Sequence, residues 1–272
     1  MTGLGAGTMQ IDGYDIDILV QGFPGKSVCH GGLGWSTVAL LRGSGRAVIV
    51  DTGSFNMRRL IGDQLARRGL GPADVTDVVL THAHYDHSIN WIMFPRARVT
   101  IGAAELEWAA AQPVGHHLVP ELYIRELTSS PQLRVVCDGE EVFAGMTAHA
   151  APGHTPGHLI FHLATPRRDV IFTGDAAKNR AELVGGIADM TMDDGASKSS
   201  IERIWELWRR RPETLLVPGH DVPMVLENGR PAYVEARRAG ITAWFDDDIE
   251  TTTLFEFKAA MTPAARRAAG RV

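Results

Sequence analysis

The sequence predicts an α/β (α+β) fold. Three observations carry that expectation. Strand-like and helix-like runs alternate along most of the chain. Histidines and aspartates recur directly after apolar strand-like runs. The chain has 272 residues, 44% hydrophobic and 22% charged, enough to bury a core without disulfide staples.

Taken in order, residues 36–42 and 46–51 are β-rich runs joined by Gly43-Ser44-Gly45, a hairpin signal. Ser54 is placed as the N-cap of a helix over about 56–68, with Met57, Leu60, Ile61 and Leu65 on one face and Gly69 and Gly71 closing it. Residues 77–80 read as a short buried strand running into Thr81-His82-Ala83-His84-Tyr85-Asp86-His87. Further strands are expected at 98–101, 135–136, 146–151, 159–163, 170–173 and 215–217, with helices at 103–111, 119–127 and 197–209. The last of these helices aligns Ile201, Ile204, Trp205 and Trp208. From about Arg230 a helical tail (233–238, then 263–269) follows, within a single domain over 1–272. No fixed-period repeat or low-complexity segment is visible.

Composition narrows the function classes. The net charge of -5 argues against binding a nucleic-acid backbone, which needs clustered Lys and Arg. Arg209-Arg210-Arg211 reads as a solvated helix end. Cys29 and Cys137 form neither a CxxC pair nor a disulfide framework. The N-terminal residues lack the basic and apolar regions of a signal peptide, and no run approaches 18 apolar residues, so a cytoplasmic protein without membrane contact is expected. Ala243-Trp244-Phe245 and Leu254-Phe255-Glu256-Phe257 suit either a homodimer patch or docking of the C-terminal tail.

The chemistry concentrates in His82-Ala83-His84-Tyr85-Asp86-His87. Alternation by two lets His82 and His84 point the same way from an extended segment. Asp86 and His87 can then turn toward a second ion. Four ionisable ligand-type residues within six positions, beside a buried strand, are costly without a cation to compensate them. His154, Asp175 and His220 each follow another strand-like run, in Pro152-Gly153-His154, Gly174-Asp175 and Pro218-Gly219-His220. Imidazole with carboxylate suits Zn²⁺ and its first-row neighbours.

These residues, together with Asp51-Thr52-Gly53, resemble the metal motifs of the metallo-beta-lactamase fold superfamily, over about Ser36 to His220. The resemblance implies a four-layer αββα sandwich with the site at one edge, between two sheets. It implies two divalent metal ions, Zn²⁺ foremost, with Mn²⁺, Fe²⁺ or Co²⁺ accepting the same donors. His82, His84 and His154 would hold the first, Asp86, His87 and His220 the second, and Asp175 would bridge them. Asp51 would orient a ligand histidine, or serve as the N-terminal turn carboxylate of the helix after Ser54. His84 stands where redox di-iron members carry Glu, and the Cys or Asn frequent in the beta-lactamases proper is absent. The chain is therefore more similar to the lactonase, glyoxalase and general hydrolase branches.

The implied reaction is hydrolysis of a small carbonyl ester or lactone by a hydroxide shared between the ions, with Asp86 passing a proton to the leaving group. No GxSxG nucleophile elbow is present. The alternatives are a thioester hydrolase of the glyoxalase type, or a phosphodiesterase or nuclease of the same fold. Short intervals between motifs and negative charge weigh against a nuclease, and a filled ligand set weighs against a binding-only protein. Lys178 occupies a position where acyl-homoserine lactonases usually carry Tyr. It would hydrogen-bond a substrate carbonyl or bind a carboxylate, or be a solvated loop charge. Tyr85 lines the cleft or packs, and His158 reads as structural. His30, in the glycine-rich stretch 22–35, belongs to a loop over the site or to a plain connector. His116 and His117 form, with the helix after them, a lid or pocket wall.

Overall fold

The computed structural model describes residues 7–29, 31–211 and 213–257. The N-terminal half supplies β1 (Met9–Ile11), β2 (Tyr14–Val20), β3 (Lys26–Ser27), β4 (Gly31–Gly32), β5 (Val38–Gly43), β6 (Arg46–Val50), β7 (Asp77–Val79), β8 (Arg98–Gly102) and β9 (Leu133–Val136). Apart from the small β3–β4 ribbon, these form one seven-stranded sheet in the order β1-β2-β5-β6-β7-β8-β9. A second sheet runs in chain order through β10 (Glu141–Phe143), β11 (Met146–Ala150), β12 (Leu159–Leu163), β13 (Val170–Gly174), β14 (Leu215–Pro218), β15 (Met224–Glu227) and β16 (Arg230–Tyr233).

Period-two alternation sorts the side chains of both sheets. In β5, Ala39 and Leu41 point between the sheets, where they share a buried cluster with Phe161 of β12 and Phe172 of β13. Val38 and Leu40 point outward, onto α1 (Arg58–Ala66), α3 (Ala103–Ala110) and α4 (Glu121–Thr128) through Ile61, Leu65, Ala109, Ile124 and Leu127. The short α2 (Tyr85–Ser88) lies at the end of β7. On the far side, Ile171 and Leu216 meet Leu183 of α5 (Arg180–Gly185) and Ile201, Ile204 and Trp208 of α6 (Asp194–Arg209). The result is helix, sheet, sheet, helix, with apolar cores in all three interfaces. Each buried Phe or Leu contributes roughly 1.5–3 kcal/mol relative to exposure. No helix among the described residues is long and apolar enough to cross a membrane.

β6, β7, β8 and β9 are mutually parallel, as are β13 and β14. Side chains that follow the carboxyl ends of parallel strands collect at one edge of a sheet, and the crevice there is where α/β proteins place their sites.

The expected elements are present with shifted ends. Phe55–Met57 is a 3-10 turn, α1 begins only at Arg58, and Ser54 makes no side-chain cap bond. The tail expectation is corrected. Residues 230–256 contain no helix: Arg230–Tyr233 extends the second sheet, and β17 (Gly240–Ala243) pairs with β18 (Thr253–Glu256). Tertiary contacts override helix propensity here. Gln21 donates to Glu235 Oε1 (3.0 Å) and the Ala236 carbonyl (3.1 Å) and accepts from the Arg238 amide (2.6 Å), while Tyr233 donates to Asp221 (3.0 Å). Residues 263–269 lie outside the described residues. Phe257 stacks on Phe23 at 5.0 Å, whereas Trp244, Phe245, Leu254 and Phe255 are exposed.

Candidate metal centre

Strand ends deliver the polar residues to one place. The chain leaves β7 at Leu80 and passes through Thr81, His82 and His84 into α2, which carries Asp86 and His87. His154 follows β11, Asp175 follows β13, and His220 follows β14 two residues on. Gly219, just before His220, lies so close to the neighbouring strand end that a Cβ there would meet Asp175 Oδ1 at 2.3 Å and the Gly174 carbonyl at 2.5 Å. That absence of a side chain lets His220 and Asp175 share one cleft.

Three groups of ligand-type atoms result, each within 4.8 Å: His82, His84 and His154; His82, His87 and Asp175; Asp86, His87 and His220. His154 Nε2 lies 3.0 Å from His84 Nδ1, and His87 Nε2 lies 3.2 Å from His220 Nε2. Asp175 reaches both sides. Its Oδ1 is 3.2 Å from His87 Nε2 and from His220 Nε2, and its Oδ2 is 3.3 Å from His154 Nε2. Asp86 Oδ2 is 3.6 Å from His87 Nε2 and 3.4 Å from His220 Nε2.

The donor set fits cations. Two nitrogens on one tetrahedral zinc are about 3.3 Å apart, given bonds of about 2.0–2.1 Å. Hydrogen bonding alone does not satisfy the cluster: His82 Nε2 and Asp175 Oδ1 are buried without a hydrogen-bond partner, an expensive state for polar atoms. Charge is distributed unevenly. Burial pushes His82 and His154 well below the ordinary imidazole value, and His84 to about 4, leaving neutral rings with one lone-pair nitrogen each. Burial also pushes His87 and His220 down, but the Asp175 and Asp86 carboxylates outweigh it and hold both above their ordinary value. Burial raises Asp175, and the His220, His87 and His154 imidazoles overcome that, so its carboxyl lies well below the usual range.

The surrounding atoms fix ring orientation. Asp51 turns into the cleft, its Oδ2 2.8 Å from His87 Nδ1, and accepts from the Thr81 amide (2.8 Å) and hydroxyl (2.9 Å). His154 Nδ1 lies 2.9 Å from the Met190 carbonyl. His158, burial having pushed it to about 3, accepts the Asp175 amide on Nε2 at 3.0 Å. Thr81, Met190 and His158 in this role carry no sequence signal: a strand-end hydroxyl, a backbone carbonyl and a sixth histidine have no diagnostic spacing.

Lys178 sits beside the cluster but is already engaged. Its Nζ is 3.2 Å from Glu182 Oε1 and donates to the Asp189 carbonyl, and its side chain is 12% exposed. Glu182 in turn accepts the Asp189 amide at 2.9 Å. Lys26 of the β3–β4 ribbon pairs with Asp189 at 2.6 Å, bringing the glycine-rich segment toward the same loop. His30 lies outside the described residues. Tyr85 is 42% exposed, and its amide donates to the Leu118 carbonyl at 2.8 Å. The Trp108 ring stands between His84 (6.1 Å) and His116 (6.2 Å), which stacks on His117, so this segment borders the cleft.

The family model of the metallo-beta-lactamase superfamily matches residues 31–220. An N-acyl homoserine lactonase of Bacillus sp is 27% identical over 160 residues, 58% of this chain and 60% of that protein. Metallo-beta-lactamase domain-containing protein 1 of Mus musculus is 29% identical over 198 residues, 70% of this chain and 65% of that protein. The match to the lactonase thus spans less than two thirds of its length. Among solved structures, AidC, a dizinc quorum-quenching lactonase, superposes with a TM-score of 0.69 at 14% identity, covering 85% of this chain and 97% of that one. At that identity the likeness is one of fold.

Proposed function

The chain belongs to the metallo-beta-lactamase superfamily, and on that premise we propose that it is a dinuclear metal hydrolase acting on a small carbonyl ester, a lactone foremost. The observation that carries this reading is Asp175, one buried carboxylate with an oxygen 3.2 Å from His87 and His220 and the other 3.3 Å from His154. A carboxylate so placed would be able to serve two ions at once. The name of the Bacillus relatives, N-acyl homoserine lactonase, supports a lactone over other carbonyl substrates.

In this reading His82, His84 and His154 would hold one ion, Asp86, His87 and His220 would hold the other, and Asp175 would serve both. Zn²⁺ suits the donors, with Mn²⁺, Fe²⁺ and Co²⁺ as substitutes. When bound, the ions supply Lewis acidity for a carbonyl and bring the ionisation of water to about pH 7. Asp51 holds the Nδ1 side of His87, so that Nε2 faces the cleft. The Asp86 side chain is 16% exposed against 5% for Asp175, so Asp86 is the carboxylate a substrate can reach. It would take the proton released by the water that adds to the carbonyl and deliver it to the alkoxide oxygen as the acyl C–O bond breaks. Lys178 adds positive charge beside the cleft, from a position set by Glu182 and Asp189.

The test is a substrate panel with the metal-loaded chain: lactones, aryl esters, thioesters and bis-p-nitrophenyl phosphate. Lactones are expected to give the highest kcat/KM, lost on stripping the metal and in Asp175→Asn. Turnover of the phosphodiester alone, or full activity without transition metal, overturns the proposal.

A further inference from the structure

We propose that Glu105 is a positioning residue of the three-histidine group, a buried carboxylate that fastens the His82–His84 segment to the His154 loop. The inference rests on the metal-centre reading above and assigns a role to a residue outside the ligand set. Glu105 stands in the first turn of α3 and is 0% exposed. Its Oε1 accepts the Ala83 amide at 2.8 Å, the peptide between His82 and His84. Its Oε2 accepts the Thr155 hydroxyl at 2.7 Å and the Gly157 amide at 3.1 Å, and Thr155 directly follows His154. One side chain therefore bonds the backbone of both ligand segments.

The packing around it is specific. A Cβ at residue 157 would meet the Glu105 amide nitrogen at 2.0 Å, so only glycine lets the loop after His154 lie against the start of α3. Ala83 and Thr155 are fully buried, which removes water as a substitute acceptor for the donors Glu105 takes. Filling this space needs no charge, and burying a carboxylate is costly unless it is bonded. All three of its donors belong to segments that carry His82, His84 and His154. Those segments set the 3.0 Å approach of His84 Nδ1 to His154 Nε2, and a cation's ligands tolerate little displacement. Outer partners of this kind typically govern about 10–100-fold in metal affinity.

Glu105→Gln keeps the shape but replaces one oxygen by an NH₂ facing an N–H or O–H donor, so at least one bond is lost. The full chain, stripped and titrated with Co²⁺ against a competing chelator, reports each ion's affinity and its visible absorption. Wild type is expected to take two ions. Glu105→Gln is expected to bind one of them about 10–100-fold more weakly, with a changed absorption band, while the other ion keeps its affinity. Thr155→Val removes one donor and is expected to weaken the same ion by a smaller factor; it carries the test should Glu105→Gln not fold. Unchanged affinities in both variants overturn the inference and leave the metal reading intact. Equal weakening of both ions in a folded variant marks a general structural role and also overturns it. A wild-type chain that takes no ion overturns the metal reading, and this inference with it.

Discussion

His87 Nδ1 stands 2.8 Å from Asp51 Oδ2, deep in the cleft, although Asp51 directly follows β6 and His87 lies in α2, beyond β7. The same carboxylate takes the Thr81 amide, so it also anchors the start of the ligand segment. On the proposed two-ion reading, Asp51→Asn should therefore weaken the ion that Asp86, His87 and His220 would hold by about 10–100-fold. Chelator competition reads this directly. Retained affinity for both ions would show that the His87 ring is held by packing alone.

Stripping the metal leaves five imidazoles and two carboxylates crowded without a counter-ion. A ligand that binds only the folded chain stabilises it by about 2.7 kcal/mol at one hundred times its dissociation constant. Thermal unfolding with excess Zn²⁺ should therefore lie several degrees above that of chelator-treated protein, about 2–4 °C per kcal/mol for a chain of this size. Coincident melting curves would contradict a cation-holding cleft.

Much of this arrangement is legible in the sequence because chemistry and periodicity coincide there. The run Arg46–Val50 alternates cleanly between two cores, and His82-x-His84-x-Asp86-His87 is too dense in ligand-type groups for an ordinary loop. What escapes is set by distant partners. Tyr14–Val20 carries Asp17 in its middle, and only Thr8, Arg42 and Arg68 together explain how that carboxylate is buried in a strand. Residues 233–238 look helical by composition, yet Gln21, more than two hundred positions earlier, bonds residues 235, 236 and 238 in a non-helical form. Glu105 did leave a trace: it shares the buried face of α3 with Ala109, a charged residue in an apolar phase.

Lys178 and Glu182 form a pair with side chains 12% and 5% exposed, 3.2 Å apart. Both hold the loop that presents the Met190 carbonyl to His154. Lys178→Ala leaves Glu182 buried without its cation and should cost about 3 kcal/mol. Lys178→Met combined with Glu182→Leu should cost less than the sum of the single changes, with a coupling of at least 0.5 kcal/mol in urea unfolding. Additive effects would mean that each residue acts alone. If Lys178 also meets substrate, KM rises in Lys178→Met at an unchanged metal content.

Acid should act on the first sheet through Asp17. Burial raises its carboxyl, but the Thr8 hydroxyl and the Arg68 and Arg42 guanidinium groups outweigh that and hold it below its ordinary value. Arg68 Nε is 2.9 Å away and Arg42 Nη2 3.0 Å. A carboxyl depressed in the folded state contributes stability that is complete above its unfolded value, about 3.9, and is lost as pH falls through the folded value. Asp17→Asn leaves Arg68 largely buried beside a neutral amide, and should cost about 3 kcal/mol at neutral pH. Arg42 retains Asp15 at 3.3 Å, which limits the damage on that side. The gap between wild type and Asp17→Asn, followed by urea unfolding, should stay constant down to about pH 4 and then narrow, because protonation makes wild type resemble the variant. A gap unchanged at about pH 2.5 would place the Asp17 contribution in packing and hydrogen bonding rather than in its charge.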